Sequence, residues 1–536
     1  MRGGTLFDYI IIGAGSAGCV LANRLSEDPD TKVLLIEAGP RDWHPFIHMP
    51  AGLAKLVNRK GVNWDYDTAP EPHLDNRTLW WPRGKVLGGS SSINAMCYIR
   101  GVAGDYDDWG KAAAGWDWQS VLPYFKRAEG NTRGADALHG GDGPLAVSDL
   151  RHHNPLSDVF IEAATQVGMT RNGDFNGPTQ AGVGLYQVTQ RDGARCSSAA
   201  AYLAPVRSRP NLTVHTGALV SRITFEGRRA SGVTYAMGGK AFHQPASREV
   251  ILSGGAINSP QTLMLSGIGP ADELRRLGID VVHDAANVGG NLQDHLDICT
   301  LQHSTQPITY DRINEPKMAF DYFLRGHRGA GSSNLAEAGG FWRSPLATDD
   351  RCDVQFHFVP AMLDDHGRHR LAGDGYTLHA CFLRPRSRGR LTLASNRASD
   401  KPRIHANYLG DAEGFDLKVM LECAKVSREI FAQPAFDPYR GTPIHPTRTD
   451  LSDAELVAFI RAKAESVYHP VGTCRMGAAD DPRTVVDPDC RVLGLAGLRV
   501  IDGSIMPENP RANTHLTCVM IGELMADRLK GETPAA

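Results

Sequence analysis

The feature that most constrains the fold is a glycine-rich turn set between an apolar strand and a helix near the N-terminus. Residues 7–12 form a β-prone apolar run, and the motif Gly13-x-Gly15-x-x-Gly18 follows them directly. The apolar spacing of residues 19–25 is helical, and residues 32–37 form a second buried-type strand. This order predicts a βαβ unit of the kind that binds dinucleotides.

The residue types in this unit fit that use. Gly13 lets the chain turn, Gly15 lets the backbone approach a pyrophosphate, and Gly18 lets the helix pack against the strand. Glu37 ends the second strand, 24 positions after Gly13, and is placed to accept hydrogen bonds from ribose hydroxyls. The sequence contains no second such motif, which favours FAD, a cofactor bound once and retained, over NAD.

Charge, cysteine usage and hydropathy exclude several other classes of protein. The chain has 57 Lys and Arg against 60 Asp and Glu, a net charge of −3, so we expect no nucleic-acid partner. Its ten cysteines form no Cys-x-x-Cys pair, and His366-x-x-His369 lies among charged loop residues without a third ligand, so we predict no metal site. No apolar stretch reaches about 18 residues and no signal-peptide pattern precedes residue 7, so we predict no transmembrane segment and a cytoplasmic protein.

Three later segments extend the interpretation. Residues 82–94 combine small residues, serine hydroxyls and apolar anchors, which suits close contact with a phosphate or a flat ring. Residues 248–260 repeat the order of strand, glycine turn and helix. Residues 498–504 form a strand with Asp502 at its carboxyl end, where α/β folds place ligands.

In this order the motifs resemble those of the glucose-methanol-choline (GMC) flavoprotein oxidoreductases over nearly the whole chain. The segments that carry the resemblance are 13–18 with Glu37, 84–94, 255–269, 288–295, 469–477 and the region of Asp502. The resemblance implies an α/β fold with one FAD per chain: a Rossmann-like FAD-binding domain and an inserted α+β substrate domain built on an antiparallel sheet. We assign residues 1–150, 191–300 and 465–536 to the discontinuous FAD-binding domain, and residues 151–190 and 301–464 to the substrate-binding domain.

The middle of the chain agrees with an antiparallel sheet on its own pattern. Residues 352–359, 377–383 and 389–393 are predicted to be strands at hairpin-like spacing, without helices between them. Residues 416–431 are predicted to be a helix.

The resemblance also implies a reaction and the residues that carry it. The family oxidises a CH–OH group by hydride transfer to flavin N5; His469 matches its catalytic histidine, and His515 matches a position held by histidine or asparagine. A hydroxyl of pKa ~16 faces an imidazole of pKa ~6.5, a gap worth roughly 13 kcal/mol, so simple deprotonation is too costly. The proton must leave together with the hydride, or the alkoxide must be held by donors. We therefore predict His469 as the base and His515 as the alkoxide donor.

The same matches predict which residues bind FAD. They are Gly13, Gly15, Ser16, Ala17, Gly18, Glu37, Ala38, Arg83, Val86, Gly88, Gly89, Ser90, Asn94, Ala95, Met96, Val220, Gly254, Asp502, Gly503, Asn513 and Thr514. We predict non-covalent binding, because Ile93 occupies the position at which some family members carry a tethering histidine.

Several alternatives stay open at the level of sequence. Our preferred interpretation is a dehydrogenase that passes electrons from a small-molecule alcohol with a primary CH–OH group to a quinone or dye-type acceptor. The alternatives are an oxidase that uses oxygen and releases hydrogen peroxide, and a lyase or decarboxylase that keeps FAD without net redox chemistry. Nothing in the sequence independently marks a trimethylammonium site, and neither the alcohol nor the oligomeric state is identified.

Overall fold

Two seven-stranded sheets organise the chain, which a computed structural model describes over residues 6–369 and 371–531. The first sheet is parallel at its centre, where its strands are buried on both faces. Its parallel strands are Leu212–Thr216, Val33–Glu37, Phe7–Ile12 and Lys240–Leu252, in that spatial order, with Leu498–Val500 beside the last of these. The sheet continues with antiparallel strands. Strand Arg229–Met237 pairs with Lys240–Leu252 on one side and with Ala218–Glu226 on the other.

The second sheet is antiparallel throughout. Its strands are Arg440–His445, Leu296–Ser304, Gly375–Phe382, Val354–Val359, Ala338–Trp342 and Gly182–Leu185, in that spatial order, with Glu465–Ser466 beside Leu296–Ser304. Short two-stranded pairs supplement both sheets: Tyr66–Asp67 with Trp80–Trp81, Glu129–Asn131 with Leu145–Val147, Gln190–Arg191 with Ala194–Arg195, Ile268–Gly269 with His283–Asp284, and Arg390–Thr392 with Arg403–His405.

Helices pack around the two sheets. The α-helices are Ser16–Leu25, Pro45–His48, Leu53–Leu56, Ala103–Ala112, Trp118–Ala128, Pro155–Gln166, Gly255–Leu265, Ala271–Arg276, Glu315–Leu324, Phe415–Phe431, Asp453–Lys463 and Thr514–Lys530. Within residues 6–369 and 371–531, no helix combines the length and the apolar character needed to cross a membrane.

The glycines of the first turn are required by close backbone contacts. Gly13 has a φ of +101°, and a Cβ there would lie 2.5 Å from Ser253 O. A Cβ at Gly18 would lie 2.0 Å from Gly13 O, so any side chain would push the helix away from the turn. The turn therefore brings the N-terminus of helix Ser16–Leu25 directly to the carboxyl end of strand Phe7–Ile12.

The C-terminal helix completes this part of the fold by packing on the N-terminal one. A Cβ at Gly522 would lie 2.9 Å from the Val20 Cβ, so the two helices cross at close approach. Beside the crossing, the Arg24 guanidinium donates two hydrogen bonds of 2.9 Å to the buried Glu523 carboxylate. The packing aligns the N-termini of both helices toward the same side of the first sheet.

The predicted fold class is confirmed. A Rossmann-like sheet and an antiparallel sheet both form, and the latter includes the predicted strands at 354–359 and 375–382. The assigned domain boundaries stay a prediction. Strand Glu465–Ser466 joins the antiparallel sheet although it lies on the FAD side of the predicted boundary.

Candidate active site

A cavity of about 790 Å³ lies between the two sheets. Most of the predicted cofactor residues line it, together with both predicted catalytic histidines: Gly13, Gly15, Ser16, Ala17, Glu37, Ala38, Arg83, Gly89, Ser90, Asn94, Ala95, Met96, Val220, Gly254, Asp502, Gly503, Asn513, Thr514, His469 and His515. Residues that are distant in sequence are thus brought to one site.

Three of the predicted FAD-binding residues do not line the cavity but lie behind its wall. Gly18 packs against the Gly13 carbonyl, and Val86 is fully buried in a small apolar cluster. Gly88 adopts a φ of +88° and donates its N–H to Ala14 O at 2.8 Å. These residues support the cavity wall and do not face the cavity.

The first-sheet side of the cavity fits a dinucleotide. Helices Ser16–Leu25 and Thr514–Lys530 both begin there without a side-chain cap, which leaves backbone N–H groups free for an anion. A Cβ at Gly15 would meet only Ser253 O, at 3.7 Å, so the wall leaves space at this turn. The Nε2 atom of His515 is buried without a hydrogen-bond partner among the described residues.

Two buried carboxylates accept hydrogen bonds from the turns on the first-sheet side of the cavity. Glu37 accepts hydrogen bonds from Ala14 N (2.9 Å) and Gly39 N (2.8 Å), and burial raises its pKa to about 7. Asp502 accepts from Gly255 N (2.8 Å) and from Ser504 N (2.7 Å), and burial raises its pKa as well. Both side chains border the cavity while they hydrogen-bond to neighbouring loops, and their contacts with FAD stay predictions.

The second-sheet side presents His469, whose ring has a defined partner on each nitrogen. His469 Nε2 lies 3.1 Å from Asn513 Nδ2, and His469 Nδ1 lies 3.0 Å from His295 Nδ1. The Asn513 side chain is oriented by Gln355, whose amide donates to Asn513 Oδ1 at 3.1 Å. Asn513 therefore turns its NH₂ group toward His469.

These contacts define the proton positions on both imidazoles. His295 Nε2 lies 3.1 Å from Leu383 O, which can only accept, so this nitrogen carries a proton. In a neutral His295 the Nδ1 atom then accepts, and the proton of that contact belongs to His469 Nδ1. The lone pair of His469 is left on Nε2, which agrees with a donor, Asn513 Nδ2, facing it.

Burial keeps these rings neutral. It holds the pKa of His469 well below its usual range, with the facing His295 as the next cause. Burial also lowers the pKa of His295 to about 3 and that of His357, which lines the cavity nearby, to about 3. A neutral His469 with its Nε2 lone pair in a cavity is the state that can take up a proton.

His515 and Asn513 make different contacts in the cavity. His515 Nδ1 lies 2.9 Å from Ser16 Oγ, on the first-sheet side of the cavity, and burial lowers the His515 pKa to about 4. The side chain that meets His469 Nε2 is that of Asn513. The role of His515 as the alkoxide donor stays a prediction.

A further polar cluster, in which His379 lines the cavity, was missed by sequence reasoning. His379 Nδ1 lies 2.6 Å from Asp297 Oδ2 and 3.1 Å from Cys299 Sγ. These three ligand atoms lie within 4.8 Å of one another, but the imidazole–carboxylate pair already accounts for the arrangement. Alternation along the strands at 296–304 and 375–382 was the one signal that could have placed these residues on a shared face.

A Rossmann-like cofactor site that opens onto a buried imidazole base defines an oxidoreductase with a nucleotide cofactor. Sequence models described as GMC oxidoreductase match residues 7–297 and 385–522, and the chain belongs to this family. The resemblance seen in the motifs is thereby confirmed. GMC oxidoreductases bind FAD, and the first-sheet side of the cavity fits that cofactor.

Individual relatives match over almost the full chain. An alcohol dehydrogenase (acceptor) of Pseudomonas putida is 50% identical over 532 residues, covering 97% of this chain and 95% of the relative. The mitochondrial choline dehydrogenase of Mus musculus is 47% identical over 538 residues, covering 98% and 89%. Among solved structures, pyridoxine 4-oxidase from Mesorbium loti has a TM-score of 0.88 at 31% identity, covering 98% and 100% of the two chains. Formate oxidase has a TM-score of 0.91 at 27% identity, with 99% of each chain covered.

Proposed function

We propose that this protein is an FAD-dependent alcohol dehydrogenase that oxidises a primary CH–OH group and passes the electrons to a quinone-type acceptor. The observation that carries the proposal is the lone pair of His469 Nε2, held in a cavity whose opposite side fits FAD. The 50% identical relative is named an alcohol dehydrogenase (acceptor), which supports the alcohol and the acceptor. When bound, FAD supplies the two-electron acceptor for the substrate carbon.

Side chains of the protein take up the hydroxyl proton of the substrate and donate a hydrogen bond to its oxygen. His469 Nε2 takes the hydroxyl proton, and the His469 Nδ1 proton stays hydrogen-bonded to His295 throughout. Asn513 Nδ2 is the donor next to that position, so it can hold the substrate oxygen while negative charge develops on it. Burial keeps the rings of His295 and His357 uncharged in this state.

An anaerobic experiment tests the reaction. The purified yellow protein is mixed without oxygen with a panel of primary, aromatic and sugar alcohols, and the visible absorbance of FAD is followed. We expect bleaching by at least one primary alcohol. In His469→Ala the rate should fall by on the order of 10² to 10⁴ while FAD content is unchanged. A protein that keeps its colour with every alcohol would favour a family member without net redox chemistry.

A second measurement distinguishes the dehydrogenase from the oxidase. The substrate-reduced enzyme is reoxidised either by air or by a soluble quinone analogue. We expect turnover with the quinone and little hydrogen peroxide. Peroxide formed at a rate matching turnover would make the protein an alcohol oxidase.

The proposal also includes a non-covalent cofactor. Ile93 lines the cavity and has no atom that could bond to a flavin ring. Acid precipitation should therefore leave a colourless pellet and a yellow supernatant. A yellow pellet would contradict this part of the proposal without affecting the role of His469.

A further inference from the structure

Exposed apolar side chains are concentrated beside the mouth of the cavity. Trp43 is 74% exposed, Leu324 71%, Phe320 49% and Phe323 46%. Over residues 6–369 and 371–531, the other large apolar residues with comparable exposure are Leu6 and Phe242. Apolar side chains grouped in this way on a protein surface mark a site of interaction.

The four side chains belong to two segments, residues 41–60 and 312–328, which together we call the rim surface. The Tyr322 hydroxyl donates to His48 O at 2.9 Å, and Lys55 Nζ lies 2.6 Å from a Glu315 carboxylate oxygen, so the segments touch. Residues from both segments also line the cavity: Phe46, Leu53, Lys55, Glu315, Met318 and Ala319. The rim surface is therefore the outer side of the cavity entrance.

Helix Glu315–Leu324 presents a two-sided pattern. Phe320, Phe323 and Leu324 are spaced i, i+3, i+4 and face solvent together, whereas Tyr322 between them is buried. Asn314 caps the helix by accepting from Lys317 N at 2.9 Å, so this pattern is set on an ordered element.

The rim surface is basic although the whole chain is slightly acidic. It has eight Lys or Arg against three Asp or Glu, a net charge of +5, whereas the chain has −3. Of the three acidic residues, one, Glu315, is exposed. All eight basic residues are exposed: Arg41, Lys55, Arg59, Lys60, Arg312, Lys317, Arg325 and Arg328.

We propose that the rim surface docks on an anionic lipid bilayer. Trp43, Phe320, Phe323 and Leu324 enter the boundary between headgroups and acyl chains, and the surrounding cations contact lipid phosphates. Exposed aromatic and aliphatic side chains together with exposed lysine and arginine on the same segments are the pattern typical of an interfacial membrane-binding surface. A second copy of this chain is the poorer occupant, because pairing two such faces would bring two charges of +5 together.

Docking at this place would direct the cavity entrance toward the membrane. An apolar alcohol or a lipid-soluble quinone could then reach the cavity from the bilayer without passing through water. This consequence rests on the proposed function, whereas the docking itself depends only on the rim surface.

Vesicle co-sedimentation tests the docking with the FAD-loaded, full-length protein. We expect binding to vesicles of equimolar phosphatidylcholine and phosphatidylglycerol, weaker binding at high salt, and little binding to phosphatidylcholine alone. The double variant Phe323→Ser/Leu324→Ser should bind at least about tenfold more weakly. Lys317→Gln and Arg325→Gln should each weaken binding by roughly fivefold. The matched control, Leu6→Ser/Phe242→Ser, removes exposed apolar groups elsewhere and should bind as the wild type does.

Activity in vesicle-free buffer separates this proposal from the proposed function. Phe323 and Leu324 do not line the cavity, so their double variant should oxidise a water-soluble alcohol with a soluble dye at the wild-type rate. Equal binding of the wild type to both kinds of vesicle, no binding to either, or full binding by the Phe323/Leu324 variant would overturn the docking proposal. A dimer that this variant abolishes, without vesicle binding, would assign the rim surface to a second copy instead.

Discussion

Replacing His295 by leucine should slow alcohol oxidation, although His295 is not part of the cavity wall. His295 is a positioning residue: its Nδ1 atom, 3.0 Å from His469 Nδ1, accepts the proton that keeps the His469 lone pair on Nε2. Leucine fills the buried space but accepts no hydrogen bond. The His469 Nδ1 proton is then buried without a partner, and the other tautomer, with the proton on Nε2, becomes favourable.

The size of the expected loss of rate follows from the His469 Nδ1–H group that is left unpaired. An unpaired buried N–H costs about 1–3 kcal/mol, so the active tautomer should be roughly 5- to 150-fold less populated, with a matching loss of rate. In His295→Asn the carbonyl oxygen of the new side chain lies close to the position of the imidazole Nδ1 atom. This variant can accept from His469 and should stay within a few fold of the wild type.

The assay is anaerobic stopped-flow bleaching of FAD absorbance, normalised to bound FAD. Thermal unfolding of each variant controls for a loss of structure. If the leucine variant reduces FAD at the wild-type rate, or if asparagine and leucine cause the same loss, His295 only fills space and our account of the tautomer is wrong.

Two other predictions concern the donor and the pH dependence of stability. Asn513→Ala should slow FAD reduction by about tenfold or more, whereas His515→Ala should mainly weaken FAD retention, measured as release on dilution; the opposite ranking would return the donor role to His515. Hydrogen bonds to Asp174 and Glu129 raise the pKa of His139 from 6.5 to about 9. The stability contributed by His139 is therefore complete below pH 6.5 and is lost as the pH rises through 9. The thermal midpoint of His139→Gln should lie below that of the wild type at low pH and converge with it above that range, and parallel pH profiles would refute this.

The parts of the fold whose pattern lies in one contiguous segment of the chain were predictable from the sequence. The βαβ unit is encoded by residues 7–37 alone, since its strand, turn and helix are adjacent in the chain. Strand Lys240–Leu252 was predicted only at 248–252, because residues 240–247 contain no apolar run, are mostly exposed and form a strand by pairing with Arg229–Met237. Residues 390–392 do form a strand, but they pair with Arg403–His405 outside the large antiparallel sheet.

At the active site, too, the sequence predicts a segment but not the individual residue that makes a given contact. Motifs indicated the segment that faces His469 but not which residue in it does so. Asn513 has extended backbone just before helix Thr514–Lys530 and His515 lies in its first turn, so the two side chains reach different sides of the cavity. The choice between them is made by Gln355, which holds the Asn513 amide from a strand of the other sheet. The sequence around residues 513–515 carries no pattern that indicates the contact between Asn513 and Gln355.

The hydrogen bond between Ser16 and His515 joins residues 499 positions apart. Since strand Leu498–Val500 also pairs with Lys240–Leu252 beside the first βαβ unit, the nucleotide site combines the first and last parts of the chain. During translation, the ribosome releases the glycine turn long before the segment that closes it. We therefore expect cofactor loading to follow synthesis of the C-terminal helix, with the nascent βαβ unit folded, or shielded from aggregation, until that helix is made.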